Sequence, residues 1–104
     1  MRRNIIVFDL DGTLSLTEHR VHHLKKDPPD WTAFYAACDQ DEPNAPVVQL
    51  FNDLLRVDGG PGTIPYHKLW ILTGRSSEVR EQTEVWLGKH LRHYHRLIMR
   101  AEGD

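Results

Sequence analysis

The sequence predicts a single α/β domain organised around a parallel sheet. Three observations carry that expectation. Short apolar runs at Ile5–Phe8, Lys68–Leu72 and Arg96–Arg100 read as strands. Helical segments separate them, and the first two runs lead straight into compact polar motifs, Asp9-x-Asp11 and Thr73-Gly74-Arg75. The length of 104 residues suits one domain.

Ile5–Phe8 is a continuous β-branched and aromatic run, the pattern of a strand buried on both faces. Gly12 releases the chain into a turn after Asp11. Residues 15–45 read as an inserted helical segment. Within it a polar helix spans about Thr17 to Lys26 and stops at Pro28-Pro29. Asp30 then caps a short helix with Trp31, Phe34, Tyr35 and Cys38 on one stripe, which is expected to pack inward, the alternative for its three rings being to stack nucleobases. Residues 39–44 form a loop, and Pro46 opens an amphipathic helix presenting Val47, Leu50, Phe51, Leu54 and Leu55. Gly59-Gly60-Pro61-Gly62 reads as a flexible connection to the second strand. Ser76 or Ser77 caps the next helix, with Glu78 and Glu81 in its first turn and Val79, Thr83, Trp86, Leu87 and His90 facing inward. Strand, helices, strand, helix, strand implies right-handed crossovers and a Rossmann-like sheet, which takes ligands beyond the carboxyl ends of its strands.

Composition narrows the function classes. The hydrophobic share of 39%, charged share of 27% and formal net charge of -2 exclude a globally basic surface, so recognition of phosphate must be local. No apolar run approaches the roughly 20 residues of a membrane span. Asp9 and Asp11 cut the N-terminal apolar run too short for a secretory signal. A lone cysteine, Cys38, forms no intrachain disulfide and suits the reducing cytoplasm. Asn44 stands where a Cys-x5-Arg phosphatase would need its arginine, so Cys38 is read as a packing residue.

The chemistry concentrates at Asp9 and Asp11. Two residues apart in extended chain, their carboxylates project to the same side, repel, and invite a hard cation such as Mg²⁺. Gly12 and Thr13 form a turn whose N–H groups are expected to face an anion. An aspartate beside a cation is a competent nucleophile toward phosphorus. The competing reading is an Asp pair that merely caps a turn.

Val7-Phe8-Asp9-Leu10-Asp11-Gly12-Thr13-Leu14 resembles the first motif of the haloacid-dehalogenase-like (HAD) phosphohydrolases, and Ile71-Leu72-Thr73-Gly74-Arg75 resembles their second. The resemblance implies a HAD-type sheet with a small helical cap at about 15–45. It implies that Asp9 attacks phosphorus, that Asp11 protonates the leaving group and later deprotonates water, and that Thr73 and the Gly74 N–H hold phosphoryl oxygens. Asp9 and Asp11 would ligate Mg²⁺, the latter through its backbone carbonyl.

A narrower similarity runs through His19-Arg20, Trp31, Phe34-Tyr35, Asp41-x-Pro43-Asn44, Trp86-Leu87 and Met99-Arg100. It points to the phosphatase domain of phage-type polynucleotide kinase/phosphatase, and implies a 3′-phosphate end of DNA or RNA as substrate. The kinase half's Gly-x4-Gly-Lys-Ser/Thr loop is missing from the sequence. So is a strand ending in acidic ligands, and Lys89, in mid-helix, is the sole lysine after Thr73. The domain at 1–104 is therefore expected to be C-terminally incomplete, holding three of the family's strands. That leaves the first strand as an apolar edge, for a second copy or another chain to complete.

The expected function is thus a Mg²⁺-dependent phosphomonoester hydrolase acting on a phosphorylated nucleic-acid end. Alternatives are a phosphatase of mononucleotides or other small phosphomonoesters, and an incomplete module that binds phosphate ends. Secondary candidates read as follows. His19, His22 and His23 share a helix face but lack a completing ligand, and His90, His93 and His95 are placed on the surface. Arg20, Arg75 and Arg100 are candidate phosphate ligands, with Arg75 the best placed; its alternative is a surface pair with Glu78. Asp39-x-Asp41 is read as a cap loop held by Asx-type turns.

Overall fold

The computed structural model describes residues 4–56 and 67–101. In chain order the elements are β1 (Asn4–Asp9), β2 (Ser15–Leu16), a 3-10 helix at Glu18–Lys25 and α1 (Trp31–Ala36). Then come a 3-10 turn at Cys38–Gln40, β3 (Glu42–Pro43), α2 (Ala45–Arg56) and β4 (His67–Ser76). A 3-10 turn at Ser77–Val79, α3 (Arg80–His90) and β5 (Arg96–Arg100) complete the order. Among the described residues β1, β4 and β5 form a parallel sheet in the order β1-β4-β5. This is the mixed α/β architecture that the strand and helix alternation predicts. The Gly59–Gly62 connection lies outside the described residues.

Both crossovers move the sheet in one direction, from β1 to β4 and from β4 to β5. Right-handed connections then deliver both helices to the same face. There Phe51 of α2 and Trp86 and Leu87 of α3 join Leu69, Ile71 and Leu97 in one buried cluster. The Phe8 and Phe51 rings meet edge to face at 4.9 Å.

Among the described residues nothing covers the opposite face. Ile5 and Val7, expected to be buried, are each 51% exposed, and Leu72 is 48% exposed. The reason is the period of a strand: Ile6 and Phe8 take the helix-covered side, so Ile5, Val7 and Asp9 fall on the other. β1 is also an edge of the three-stranded order.

Three further expectations are corrected. Leu50 points out of α2 at 52% exposure, and Val48 packs on the core in its place. The polar segment before Pro28 winds as 3-10 helix, without a continuous apolar stripe to pack as an α-helix. β4 runs four residues past Leu72, so that Thr73-Gly74-Arg75 lies inside the strand, across a register shift between Leu72 and Ser76. His95 extends the β4–β5 ladder, its N–H donating to the Leu69 carbonyl at 2.9 Å and its Nδ1 accepting from the Leu69 N–H at 2.9 Å.

Candidate active site

The site grows from the turn after β1. The Leu10 carbonyl accepts from the N–H groups of Thr13, Leu14 and Ser15, and Gly12 closes the turn at φ 81°, a left-handed value that disfavours any side chain. Asn44 staples the turn to the cap segment. Its Nδ2 donates to the Thr13 carbonyl at 2.9 Å and its N–H to the Leu14 carbonyl at 2.8 Å.

This geometry corrects one expectation. The Gly12 N–H donates to the Ser15 carbonyl at 2.8 Å and the Thr13 N–H to Leu10 at 3.2 Å, so the turn spends these donors internally. What Thr13 offers is its hydroxyl, which donates to Asp9 Oδ2 at 3.5 Å.

The two aspartates occupy unlike settings, because the chain turns between them and does not stay extended. Asp9 is exposed at the C-terminal end of β1. Asp11 is turned inward onto two guanidiniums. Its Oδ1 accepts from Arg20 Nη2 at 2.7 Å and from Arg75 Nε at 3.0 Å, while Oδ2 accepts from the Thr73 hydroxyl at 2.8 Å. Burial raises the Asp11 carboxyl, but Arg75's hydrogen bond and charge, with the hydrogen bonds of Thr73 and Arg20, hold it below its ordinary value.

Behind Asp11 lies a second, fully buried layer. Arg20 Nε and Nη2 both reach Asp41, each at 2.8 Å, and Arg75 Nη2 reaches it at 3.2 Å. His19 Nε2 is 2.6 Å from Asp41 Oδ1. Arg20 is completed by the Phe34 carbonyl and Arg75 by the Thr83 hydroxyl, at 3.1 and 3.0 Å. Two cations thus meet two anions with nearly every polar atom engaged, the condition under which a buried ionic cluster is tolerated. Burial lowers the Arg20 pKa, yet Asp41 and then Asp11 more than compensate and hold it above its usual value.

The sequence-predicted site residues therefore divide. Asp11, Thr73 and Arg75 come together in one network, and Asp9, Gly12 and Thr13 surround its mouth. Gly74 lies exposed on the strand next to Thr73. Its carbonyl accepts from the Tyr35 hydroxyl at 3.5 Å and from Arg100 Nε at 3.2 Å. Arg75 is not paired with Glu78 on the surface. It is buried because Leu69, Ile71, Thr73 and Arg75 alternate along one face of β4, a signal present in the sequence.

Sequence reasoning missed Asp41, the shared partner of both arginines, and placed Arg20 only as a phosphate ligand. Nothing local marks a contact spanning 21 residues, as that between Arg20 and Asp41 does. The expectation of Asx turns around Asp41 is corrected: Asp41 is the buried counter-ion, and its carbonyl also takes the Trp86 indole N–H at 2.7 Å. Of the histidines, His19 joins Asp41, the His22 and His23 rings meet at a tilt of 40° and 4.0 Å, and His90 packs on Trp86 at 4.5 Å. Cys38 is buried, and burial pushes its thiol up, outweighing Arg75 and Thr83, as suits a packing residue.

Among the described residues, no group of three or more His, Cys, Asp or Glu stands together to hold a metal ion. With the Asp11 carboxylate committed to arginine, the oxygens on offer are the Asp9 carboxylate and main-chain carbonyls of the turn. That sparse set is compatible with Mg²⁺, which takes one or two carboxylates and keeps waters and substrate phosphate as its other ligands.

The family described as the polynucleotide kinase PNKP phosphatase domain matches residues 3–104. The chain belongs to that family. Its HAD-like character and α/β fold agree with the two motifs and the parallel sheet described above. One similar solved structure is that of the Pnkp1/Rnl/Hen1 RNA repair complex, at 31% identity and a TM-score of 0.69 over 98% of this chain. A second structure of a Pnkp1/Rnl/Hen1 complex matches at 35% identity and a TM-score of 0.65, again over 98%. The chain spans 27% and 29% of the length of those two chains. No individually curated protein matches it. Among the described residues no helix is long and apolar enough to cross a membrane.

Proposed function

We propose that the chain forms the nucleophile-bearing part of a phosphomonoester hydrolase that removes the 3′-phosphate from a polynucleotide end. One observation carries this reading: Asp9 stands exposed at the carboxyl end of a parallel strand, while its neighbour Asp11 is clamped by Arg20, Arg75 and Thr73. An exposed carboxylate on a rigid strand end can attack phosphorus in line, which a carboxylate already bound by two arginines cannot.

In this reading an Asp9 oxygen bonds to phosphorus as the P–O bond to the 3′-carbon's oxygen breaks, leaving an aspartyl-phosphate and a free 3′-hydroxyl. Water then attacks the phosphorus, inorganic phosphate departs, and Asp9 is regenerated. Asp11 gives its proton to the leaving oxygen and takes one from the water. The guanidiniums favour its anion, which suits the second, base role. For the first, a phosphate dianion arriving beside Asp11 adds negative charge and raises the carboxyl's affinity for a proton. Thr73, the Gly74 N–H, Gly12 and Thr13 border the seat of the phosphoryl oxygens. Arg75 acts from beneath, through Asp11. Mg²⁺, held by Asp9 and the Asp11 carbonyl, would neutralise charge on the incoming phosphate.

The similar structures are multi-protein complexes, one of them named for RNA repair, which supports a working form in which further chains accompany this one, and the β1 edge offers a second copy or another chain a place to add a strand. The lone buried cysteine is in keeping with a cytoplasmic setting. A second reading, a module that binds phosphate ends without turnover, is favoured by one feature: Arg20 and Arg75 hold the Asp11 carboxylate as its anion, which opposes the acid role.

The test is release of phosphate from a 3′-phosphorylated oligonucleotide, with and without Mg²⁺, by the chain and by its Asp9→Asn variant. Metal-dependent release that disappears in the variant is expected. A mononucleotide should be turned over far less efficiently, since remote binding energy is forfeited. Release that survives Asp9→Asn sinks the aspartyl-phosphate reading. Phosphate-dependent binding with no release in any arm selects the non-catalytic module.

A further inference from the structure

The stripe on α1 does not pack inward as a unit. Phe34 is buried, its ring lying 4.3 Å from the Arg20 guanidinium and its carbonyl held by Arg20. Trp31 is 53% exposed, and its ring stacks on Tyr35 at 5.9 Å with the planes 26° apart. The helix cannot easily turn to hide them. Asp30 caps it through the Ala33 N–H at 3.0 Å, and Arg20 pins Phe34 from the other side.

The two rings border a cleft of about 340 Å³, which Ser76, Val79, Gln82 and Arg100 line from the opposite side. A second hollow of about 290 Å³ opens between Trp31, Tyr35 and Arg100. The first is at the lower end of the size range for small-ligand sites. Tyr35 and Arg100, which line both, donate to the Gly74 carbonyl through the Tyr35 hydroxyl and Arg100 Nε, and Gly74 adjoins Thr73 of the phosphate seat. The cleft's ionic groups are one cation, Arg100, and one anion, Glu78. That balance suits a neutral, flat, hydrogen-bonding ring better than a second phosphate.

We infer that this cleft seats the base of the terminal nucleotide, stacked on Trp31 and Tyr35 and flanked by the Arg100 guanidinium, while its phosphate faces Asp9. The inference rests on the reading that Asp9 receives a nucleotide's phosphate, and adds that the base is gripped as well. Stacking on an aromatic face is tolerant of sequence, because every base presents a π-surface, so the cleft confers a preference for a nucleotide end without choosing among bases.

The experiment compares binding of two 3′-phosphorylated oligonucleotides, one with an ordinary terminal nucleotide and one with an abasic terminal residue. The ordinary end should bind about 5- to 150-fold tighter, the range that aromatic stacking on one base yields. Trp31→Ala should erase that preference while leaving affinity for the abasic end unchanged, and Trp31→Phe should restore most of it. Equal affinities in the wild-type chain, or a Trp31→Ala variant weakened equally for both ends, overturns the inference. Trp31 is exposed and outside the core, so the variant is expected to fold, and its melting temperature checks this. The two readings fail separately. Base preference without phosphate release removes hydrolysis and leaves the cleft assigned; release without base preference does the reverse.

Discussion

Asp9 and Asp11 are separated by one residue and differ in almost everything physical. Asp9 sits at the rim, where its Oδ2 accepts from the Thr13 hydroxyl at 3.5 Å. Asp11 closes a network of two arginines, a threonine and, through the arginines, Asp41. The first carboxylate is available to chemistry and contributes little to the fold. The second is woven into the joint between β1, β4 and the cap segment. Adjacent positions in one motif can thus answer to different demands, one for reactivity and one for holding a charged frame still.

The largest consequence of that division falls on Asp41, which receives both arginines and is fully buried. Asp41→Ala leaves Arg20 and Arg75 with Asp11 as their remaining carboxylate and opens space beneath them. Breaking a buried pair in this way costs about 3–5 kcal/mol, a large share of the net stability of such a domain, about 5–15 kcal/mol. Chemical denaturation should show a midpoint far below wild type or no cooperative transition at all. A loss no larger than at an ordinary surface position would show that the network does not hold the cap to the sheet.

A smaller effect follows from pH. The folded-state pKa of Asp11 lies below the ordinary aspartate value, so its ionisation favours the folded state. That contribution is fully present above the unfolded value and is lost as pH falls through the lower, folded one. Thermal melts should be nearly flat, as far as this group is concerned, until the carboxylate range is entered and then fall. In Asp11→Asn the curve starts lower and its acid limb is shallower. An unchanged acid limb would mean that Asp11 is not a carboxylate the fold depends on.

How much of this was legible beforehand follows from the range of each interaction. The helix-covered cluster was readable because periodicity is local: Leu69 and Ile71 on β4, and Trp86 and Leu87 on α3, repeat at the strand and helix periods. Asp9 was readable because an apolar strand leads straight into it. Arg75 was half readable, since the same alternation carries it inward with Thr73, but its partners belong to other elements. The Arg20–Asp41 contact was opaque, because it joins a polar 3-10 helix to a loop and neither carries an apolar repeat. Trp31 and Phe34 show the limit of a stripe on a six-residue helix. Both fit the pattern, and only the anchoring of Phe34 by Arg20 decides which one is buried.

The smallest expected effect tests the comparison most directly. Asp9→Asn keeps the size and hydrogen-bonding capacity of the side chain, removes one exposed charge, and leaves Arg20, Arg75, Thr73 and Asp41 untouched. Its unfolding free energy should stay within about 0.5 kcal/mol of wild type, as for other surface substitutions away from structural networks. Side by side, Asp11→Asn should lose clearly more, because hydrogen bonds to a charged group are worth about 1.5–3 kcal/mol each and Asp11 accepts three. Equal losses in the two variants would mean that Asp9 is also held by the frame. Its exposure would then no longer argue for a nucleophile, because a carboxylate the fold needs in place is one it cannot readily lend to phosphorus.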